Sequence, residues 1–178
     1  MNLRHLIPTL ALVASSCGPA EGEERPLVRH WDGQGGMESV RGTEVYMDGK
    51  WVLNGPVQHF DREGKLRAEG EYSRGLESGF WREYYNEIDG GRGAGEYREG
   101  KRHGEWNYFH AEGSRHQRGT YKDGKREGLW TEWYVDGPLK SEIPYEYGER
   151  HGRATFRNRD GTLDNVRTGV YVRGEKLD

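Results

Sequence analysis

Between Gly95 and Gly137 the sequence reads GEYREGKRHGEWNYFHAEGSRHQRGTYKDGKREGLWTEWYVDG. This stretch contains the unit G-x-Y-x-x-G-K-R-x-G-x-W twice, and every shared position returns after 24 residues. The recurring pairs are Gly95 and Gly119, Tyr97 and Tyr121, Gly100 and Gly124, Gly104 and Gly128, and Trp106 and Trp130. A fixed period of this length is the sequence signature of a repeat architecture. The stretch therefore predicts a row of stacked, similar units.

The period continues on both sides of this stretch. The motif Tyr-x-x-Gly recurs as Tyr46/Gly49, Tyr72/Gly75, Tyr97/Gly100, Tyr121/Gly124, Tyr145/Gly148 and Tyr171/Gly174. A second glycine opens an aromatic segment at Gly55, Gly79, Gly104, Gly128 and Gly152, with spacings of 24 or 25 residues. The end units depart from the pattern, as units that cap a repeat array do.

Each unit is predicted to form two short strands joined by tight turns. Aromatic enrichment and alternating character favour strands, and a helix would lose about 1 kcal/mol at each of the frequent glycines. One hairpin is marginal in water, but a row of hairpins buries a continuous stripe between neighbours. We therefore predict an all-β fold over residues 43–178: an elongated, single-layer antiparallel sheet, or solenoid, of about five to six stacked β-hairpin repeats.

The recurring tyrosines, glycines and tryptophans are predicted to shape these repeats. They are Tyr72, Gly75, Gly79, Trp81, Tyr97, Gly100, Gly104, Trp106, Tyr121, Gly124, Gly128, Trp130, Tyr145, Gly148 and Gly152. Two columns of like residues follow from stacking: Val57, Trp81, Trp106, Trp130 and Ala154, and then Phe60, Tyr84, Phe109, Trp133 and Arg157. Strict alternation puts the columns on opposite faces, whereas a bulge would unite them. The aromatic residues form either packing between repeats or an exposed platform for sugar rings or peptide strands.

The composition excludes an ordinary aliphatic core. Only 32% of the 178 residues are hydrophobic, but the chain contains 28 Gly, 11 Tyr and 6 Trp. Aromatic side chains, which each bury on the order of 150–250 Å², compensate for this shortage. The 27 basic and 30 acidic residues are closely mixed and give a net charge of -3. Such a distribution offers no positive surface for nucleic acid.

The N-terminal residues predict export. Arg4 precedes an apolar run, Leu6 to Ala14, which is too short to span a bilayer. Small residues and the single cysteine, Cys17, follow. We predict a signal peptide over residues 1–16 and lipidation of Cys17, because Leu12 to Cys17 resembles a bacterial lipobox. The alternative is cleavage by ordinary signal peptidase, which would leave a soluble secreted or periplasmic protein.

Residues 17–42 are predicted to be a lipidated N-terminus and flexible tether. Proline, glycine and charged residues dominate this segment, as they do in linkers. Trp31 is the exception, and we expect it to pack onto the first repeat. The protein would then reside in the bacterial cell envelope, as an outer-membrane or cell-surface lipoprotein held to the membrane by its lipid anchor.

The repeated unit resembles a known family. The pattern G-x-Y-x-x-G-K-x-x-G-x-W, carried by Gly95 to Trp106 and Gly119 to Trp130, resembles the MORN-repeat group. It is closest to the bacterial variant repeats of YwqK-type antitoxin family proteins. The resemblance covers residues 43–178 and is strongest over 70–137. It implies a twisted antiparallel sheet of β-hairpins that serves as a scaffold, with protein or lipid binding and no catalytic residues.

The histidines and arginines are interpreted as solvated turn residues. His103 and His151 stand in equivalent turns on the order of 20 Å apart, while His110 and His116 flank a loop. Their spacing predicts no metal site. The arginines Arg102, Arg126 and Arg150 recur every 24 residues. Because acidic neighbours cancel their field, a solvated turn is favoured over a site for anions or lipid headgroups.

The carboxylates do not predict an enzyme. Glu83 and Glu132 occupy equivalent strand positions, with Tyr108 at that position in the unit between them. A glycoside hydrolase needs two carboxylates about 5–10 Å apart. Because no Ser/His/Asp or Cys/His arrangement is evident either, we predict no catalytic residues and no cofactor.

The predicted function is therefore a non-catalytic β-sheet scaffold that binds an unidentified protein partner. One alternative is a cell-wall or carbohydrate-binding module that uses the aromatic face. A second alternative is an antitoxin-like or immunity-like binder of a partner protein. Contact with the cell wall or with lipid is compatible with the scaffold and with the carbohydrate-binding module. Binding of nucleic acid is not expected.

Overall fold

The computed structural model describes residues 18–30, 38–84 and 92–177. Within these ranges the chain forms only β-strands and turns. The strands are β1 (Glu24–His30), β2 (Glu38–Met47), β3 (Lys50–Phe60), β4 (Leu66–Ser73), β5 (Leu76–Tyr84), β6 (Arg92–Arg98), β7 (Lys101–Phe109), β8 (Arg115–Lys122), β9 (Lys125–Trp133), β10 (Leu139–Glu146), β11 (Glu149–Arg150), β12 (Gly152–Phe156), β13 (Gly169–Val172) and β14 (Glu175–Lys176). These ranges accordingly hold no helix long and apolar enough to cross a bilayer.

All 14 strands belong to one sheet. From β1 to β10 each strand pairs with the next along the chain, and β12, β13 and β14 extend the row beyond β10. The short strand β11 also pairs with β10. Every pairing is antiparallel, so the sheet is a single layer of successive hairpins. This arrangement confirms the predicted all-β repeat fold.

The sheet begins before the predicted boundary at residue 43. Strand β1 pairs with β2 in a register that starts with Glu24 opposite Val45. Glu44 is 2% exposed and accepts hydrogen bonds from Arg25 and Arg29. Residues 24–30 and 38–42 of the predicted flexible tether are therefore paired strand, because a backbone ladder and these ion pairs hold them. The expected packing of Trp31 lies outside the described residues.

Two-residue turns join the strands at one end of the sheet. Both central residues have positive φ at Asp48-Gly49, Arg74-Gly75, Glu99-Gly100, Asp123-Gly124, Tyr147-Gly148 and Arg173-Gly174. Two positive φ values define the type I′ turn, whose twist matches that of the flanking strands. The five turns from Arg74-Gly75 onward also bond to the hairpin before them; the N–H of Gly124, for example, donates to the carbonyl of Arg102 at 2.9 Å. The Tyr-x-x-Gly motif thus marks a strand end and its hairpin turn.

Glycine and tryptophan alternate along one row across the sheet. Trp81 lies opposite Gly95, Gly95 opposite Trp106, and Trp106 opposite Gly119. A Cβ added at Gly70, Gly95 or Gly119 would lie 2.3, 2.5 or 2.2 Å from the ring of Trp81, Trp106 or Trp130. Only glycine therefore lets each indole lie across the backbone of the preceding strand. The indole packs on that strand, and no second layer is needed to cover it.

A bulge at the opening glycine directs the indole onto this row. In the β6–β7 pair, Gly95 and Glu96 oppose the four residues 103–106, and Gly104 has a φ of 69°. The indole N–H of Trp106 donates to the carbonyl of Glu96 at 3.1 Å. The same bonds join Trp81 to Glu71 and Trp130 to Thr120. The bulge interrupts the regular register next to this carbonyl, and the indole N–H supplies a hydrogen-bond donor to it.

The core consists of two clusters within the single layer. The larger cluster contains the buried residues Val57, Trp81, Trp106, Tyr121 and Trp130. The smaller one contains Ile143, Ala154, Phe156 and Tyr171, near the C-terminal end. Because packing runs between neighbouring strands and not between two sheets, both faces of the sheet still present side chains outward.

Candidate functional site

The two faces of the sheet carry different side chains. We call one the tryptophan face; it bears Trp81, Trp106 and Trp130 with the tyrosines Tyr72, Tyr97, Tyr121 and Tyr145. On the opposite face, Phe80 and Phe109 line one shallow groove with Glu105 and Asn107. Phe109, three residues after Trp106, therefore points away from it. Trp106 and Phe109, one from each column found in the sequence, lie on opposite faces because the bulge precedes both residues and alternation holds after it.

The tryptophans of the tryptophan face pack against neighbouring side chains and do not form an exposed platform. Trp81, Trp106 and Trp130 are 3%, 0% and 3% exposed. Tyr97 packs edge-on against Trp106 at a centroid distance of 5.4 Å, and Tyr121 does so against Trp130 at 5.0 Å. Edge-to-face contacts of this kind stabilise aromatic pairs beyond their buried area. Indoles enclosed in this way present no face on which a sugar ring could stack.

The structure places the predicted glycines at the points where the chain reverses or bulges. Gly75, Gly100, Gly124 and Gly148 are in type I′ turns, and Gly79, Gly104, Gly128 and Gly152 also have positive φ. The set of residues predicted to shape the repeats does not include Gly70, Gly95 and Gly119, which lie under the indoles. The signal for them is the glycine two residues before each of Tyr72, Tyr97 and Tyr121.

Glu83 joins a tyrosine and an arginine of the following hairpin. The hydroxyl of Tyr97 donates to Glu83 Oε1 at 2.7 Å, and Arg102 Nη2 donates to Oε2 at 2.6 Å. Burial, reinforced by the bond to Glu83, raises the pKa of Tyr97 to about 12. Burial opposes the charge of Arg102, but the bond to Glu83 keeps the pKa of its guanidinium above the usual value. Tyr97 is therefore neutral and Arg102 charged near neutral pH, and their two bonds to Glu83 form a fixed network.

The recurring arginines lie over aromatic rings, and two of them, Arg102 and Arg126, cover indoles. The guanidinium carbon of Arg102 lies 4.7 Å from the centroid of Trp106, and that of Arg126 lies 4.2 Å from Trp130. The side chain of Arg102 is only 31% exposed. The interpretation of these arginines as solvated turn charges is therefore wrong. The bulge turns the residue two positions before the opening glycine onto the tryptophan face, where a guanidinium gains from the ring quadrupole.

The tryptophan face has a depression of about 490 Å³ over β3 to β6. Its lining consists of His59, Arg67, Ala68, Tyr72, Glu77, Trp81, Glu83, Tyr84 and Tyr97. Tyr72 donates to Glu77 Oε1 at 3.3 Å, and burial together with Glu77 raises the pKa of this hydroxyl to about 12. Burial lowers the pKa of His59 although Glu77 opposes the change. Near neutral pH the depression thus combines tyrosine rings, an uncharged imidazole and carboxylates.

Glu132 is the centre of a second polar cluster, near β8 and β10. Lys140 Nζ lies 2.8 Å, Ser141 Oγ 3.2 Å and His116 Nε2 3.6 Å from its oxygens. Burial alone would raise the pKa of Glu132, but these donors lower it to about 2. His116 also lies against His110, with ring centroids 4.3 Å apart. A carboxylate held ionised by three donors is suited to stabilise the fold and not to transfer protons.

The remaining candidates from the sequence are not brought together. Glu83 and Glu132 lie on β5 and β9 with three strands between them, and each has its own partners. His103 contacts Arg98, whereas His151 lies 3.5 Å from Glu146. The described ranges contain no group of three or more His, Cys, Asp or Glu residues arranged to hold a metal ion. Cys17 and the predicted signal peptide are outside the described residues.

Comparison with known proteins supports the repeat assignment. Two segments of the chain, residues 53–74 and 102–123, match the family described as MORN repeat variant. Both segments begin two residues before an opening glycine, Gly55 and Gly104, so they are in phase with the repeat. A search of curated proteins finds no match. The chain thus contains MORN-type repeats at these two places, and the row of antiparallel hairpins continues beyond them.

Proposed function

We propose that this protein is an exported, lipid-anchored, non-catalytic scaffold that binds a partner protein on its open β-sheet. The observation that carries the proposal is the single-layer packing of the sheet. Its tryptophans are buried by neighbouring strands of the same layer, so neither face has to be covered for the sheet to fold. MORN-type repeats support the scaffold assignment.

The exposed side chains suit protein contact. Phe80 and Leu129 are 52% and 56% exposed. Charges of both signs surround such positions; Arg82, for example, lies over Phe80 with its guanidinium carbon 5.3 Å from the ring centroid. Apolar side chains rimmed by polar groups are typical of surfaces that bind proteins. The opposite, tryptophan face offers a second surface, with a depression of about 490 Å³.

The sequence around Cys17 is the support for lipid anchoring, and the start of the sheet sets the reach of such an anchor. The N–H of Gly22 donates to the carbonyl of Tyr46 at 2.9 Å, so the chain joins the sheet by residue 22. The few residues between Cys17 and Gly22 reach about 20 Å at most. A lipid on Cys17 would therefore hold the sheet close to the membrane surface. Partners are then expected to be envelope proteins within that distance.

Two experiments test the two parts of this proposal. Metabolic labelling with a fatty-acid analogue is expected to label the wild type and not Cys17→Ala. An unlabelled wild type would refute the anchor. Crosslinking mass spectrometry on native membranes is expected to recover one recurrent partner protein attached to strand residues of the sheet. Crosslinks spread evenly over abundant envelope proteins would refute the scaffold assignment.

A further inference from the structure

Three hairpins place an arginine of their own over an aromatic pair. The guanidinium carbon of Arg102 is 4.7 Å from Trp106 and 5.7 Å from Tyr121. Arg126 is 4.2 Å from Trp130 and 5.3 Å from Tyr145, and Arg150 is 5.7 Å from Phe156 and 5.5 Å from Tyr171. Each arginine is the second residue before an opening glycine. The repeat therefore has a standard position for a guanidinium, between one ring of its own hairpin and one of the next.

The Trp81 hairpin departs from this rule. The second residue before Gly79 is Glu77, although the aromatic pair is the usual one, with Trp81 and Tyr97 edge-on at 5.7 Å. In the described part of the chain, no lysine or arginine lies over the Trp81 ring. This hairpin thus keeps the aromatic surroundings of the repeat but replaces the chain's own cation with a carboxylate.

The charges around Glu77 favour a cation from outside. Arg67 lines the same depression, but it pairs with Asp61 at 2.9 Å. Glu83 is already bonded to Arg102 at 2.6 Å. Glu77 accepts a hydrogen bond from the Tyr72 hydroxyl. Because this hydroxyl is neutral, the bond does not balance the negative charge of Glu77. A partly desolvated carboxylate beside tyrosine rings attracts guanidinium and ammonium groups.

We propose that this depression binds an arginine side chain of the partner protein beside the carboxylate of Glu77, the residue that stands where Arg102 and Arg126 stand in their own hairpins. The proposal rests on the protein-scaffold function. It adds that the partner contacts the sheet through a basic segment. Trp81 is only 3% exposed, so the guanidinium contacts Glu77 and the rims of Tyr72 and Tyr97 and not the indole face. Arginine is favoured over lysine because its planar group pairs with a carboxylate in two bonds and stacks on rings.

The test uses the full chain and a blocked pentapeptide, Gly-Ser-Arg-Gly-Ser, followed by heteronuclear NMR. The expected result is a saturable shift of resonances from Glu77, Tyr72 and Tyr97, with citrulline in place of arginine binding about tenfold or more weakly because the charged hydrogen bonds are lost. Equal shifts with the citrulline peptide would overturn the proposal. So would shifts that fall elsewhere on the sheet.

Two variants of Glu77 make the test specific. Glu77→Gln keeps the shape of the side chain and removes its charge. It is expected to weaken binding of the arginine peptide about tenfold. Glu77→Arg introduces the arginine that the three later hairpins have, and it is expected to fold normally and to abolish binding, because the carboxylate is lost and a positive charge replaces it. Glu96→Gln is the matched control, since Glu96 is an exposed strand carboxylate that lines a groove on the opposite face. Binding that Glu77→Arg leaves intact would contradict the proposal.

The same variant separates this inference from the scaffold function. In native membranes, crosslinking of Glu77→Arg is expected to lose the partner that the wild type recovers. A partner that Glu77→Arg retains at the same strands would overturn the arginine site and leave the scaffold function standing. A wild type without any recurrent partner would refute the scaffold function itself, whereas peptide binding measured by NMR would still decide the chemistry of the depression.

Discussion

The central hairpins and the C-terminal end fill the same row of the sheet in opposite ways. In the centre a glycine on the first strand of each hairpin underlies a tryptophan on the second, as Gly70/Trp81, Gly95/Trp106 and Gly119/Trp130. At the C-terminal end the equivalent positions hold Ile143 and Ala154, which are 8% and 0% exposed. The large side chain has moved to the other strand. The space between neighbouring strands is therefore filled in both regions, but the large side chain that fills it comes from different strands of the hairpin.

The exchange also changes what covers the row. In the centre the indole lies over glycine and carries an arginine of its own hairpin, as Trp106 carries Arg102. At the C-terminal end the buried aromatic ring is that of Phe156, which is 1% exposed. The guanidinium carbons of Arg150 and Arg167 lie 5.7 and 4.2 Å from this ring. Dense packing is needed at both places, but only the centre depends on the pairing of glycine with tryptophan.

The largest effect is expected from removing a central indole. Trp106→Ala deletes a ring that is 0% exposed and should lower the free energy of unfolding by about 4 kcal/mol. Urea unfolding monitored by circular dichroism measures this loss. Leu129→Ala is the control, because Leu129 is 56% exposed and its loss should stay within about 0.5 kcal/mol. Similar losses at both positions would show that the indole row is not the core.

A tryptophan introduced at the C-terminal end should not be accepted as it is in the centre. Ala154→Trp is expected to cost about 3 kcal/mol, because Ile143 occupies the place that glycine has under the central indoles. The cost should shrink in an Ile143→Gly background, where the indole again has glycine beneath it. A double-mutant cycle in urea measures this coupling. An equal cost in both backgrounds would contradict the exchange of large and small residues between the two strands.

A single methyl group under an indole should have the next largest effect. The Cβ of Gly95→Ala would lie 2.5 Å from the Trp106 ring, and we expect a loss of about 2 kcal/mol in the free energy of unfolding. In a Trp106→Ala background the same change should be close to neutral, since the ring that it strikes is absent. A cost that persists without the ring would trace the effect to the backbone of β6 and not to the indole.

The smallest effect is expected from the charge at Glu132, whose equivalent at the C-terminal end is Phe156. Its pKa is lowered from 4.5 to about 2 in the folded protein, so its stabilising contribution is present above pH 4.5 and is lost as the pH falls toward 2. About 1 kcal/mol is expected, because partial solvent access weakens the full effect of the shift. Unfolding of Glu132→Gln between pH 6 and pH 3 should show a correspondingly flatter pH dependence. Parallel profiles for variant and wild type would refute this role.

Much of the fold could be predicted because the repeat encodes local structure. The glycine spacing and the Tyr-x-x-Gly motif indicate strands and two-residue turns, and these are properties of adjacent residues. Arg102 shows where such reasoning fails. Its neighbours in sequence are charged turn residues, but the bulge at Gly104 brings it 4.7 Å from the Trp106 centroid. A bulge changes which face a residue occupies, and alternation alone does not reveal it.

The candidate site could be predicted less well than the fold. Glu77 stands at a strand position where the three later hairpins have arginine, and its importance appears only when Trp81, Tyr72 and Tyr97 are seen around it. The strand at Glu24–His30 is a similar case. Its proline and charges are typical of a linker, but pairing with β2 and the bonds of Arg25 and Arg29 to Glu44 make it part of the sheet.

By itself the sequence determined the period, the all-β class, the single layer and the positions of the turns. These follow from the backbone preferences of glycine, tyrosine and tryptophan, which act over a few adjacent residues. Only the tertiary structure decided that Gly95 lies under Trp106, that Ile143 replaces this glycine at the C-terminal end, and that Glu77 stands where other hairpins have arginine. Such pairings depend on register across bulged strands, which joins residues about 10 to 20 positions apart.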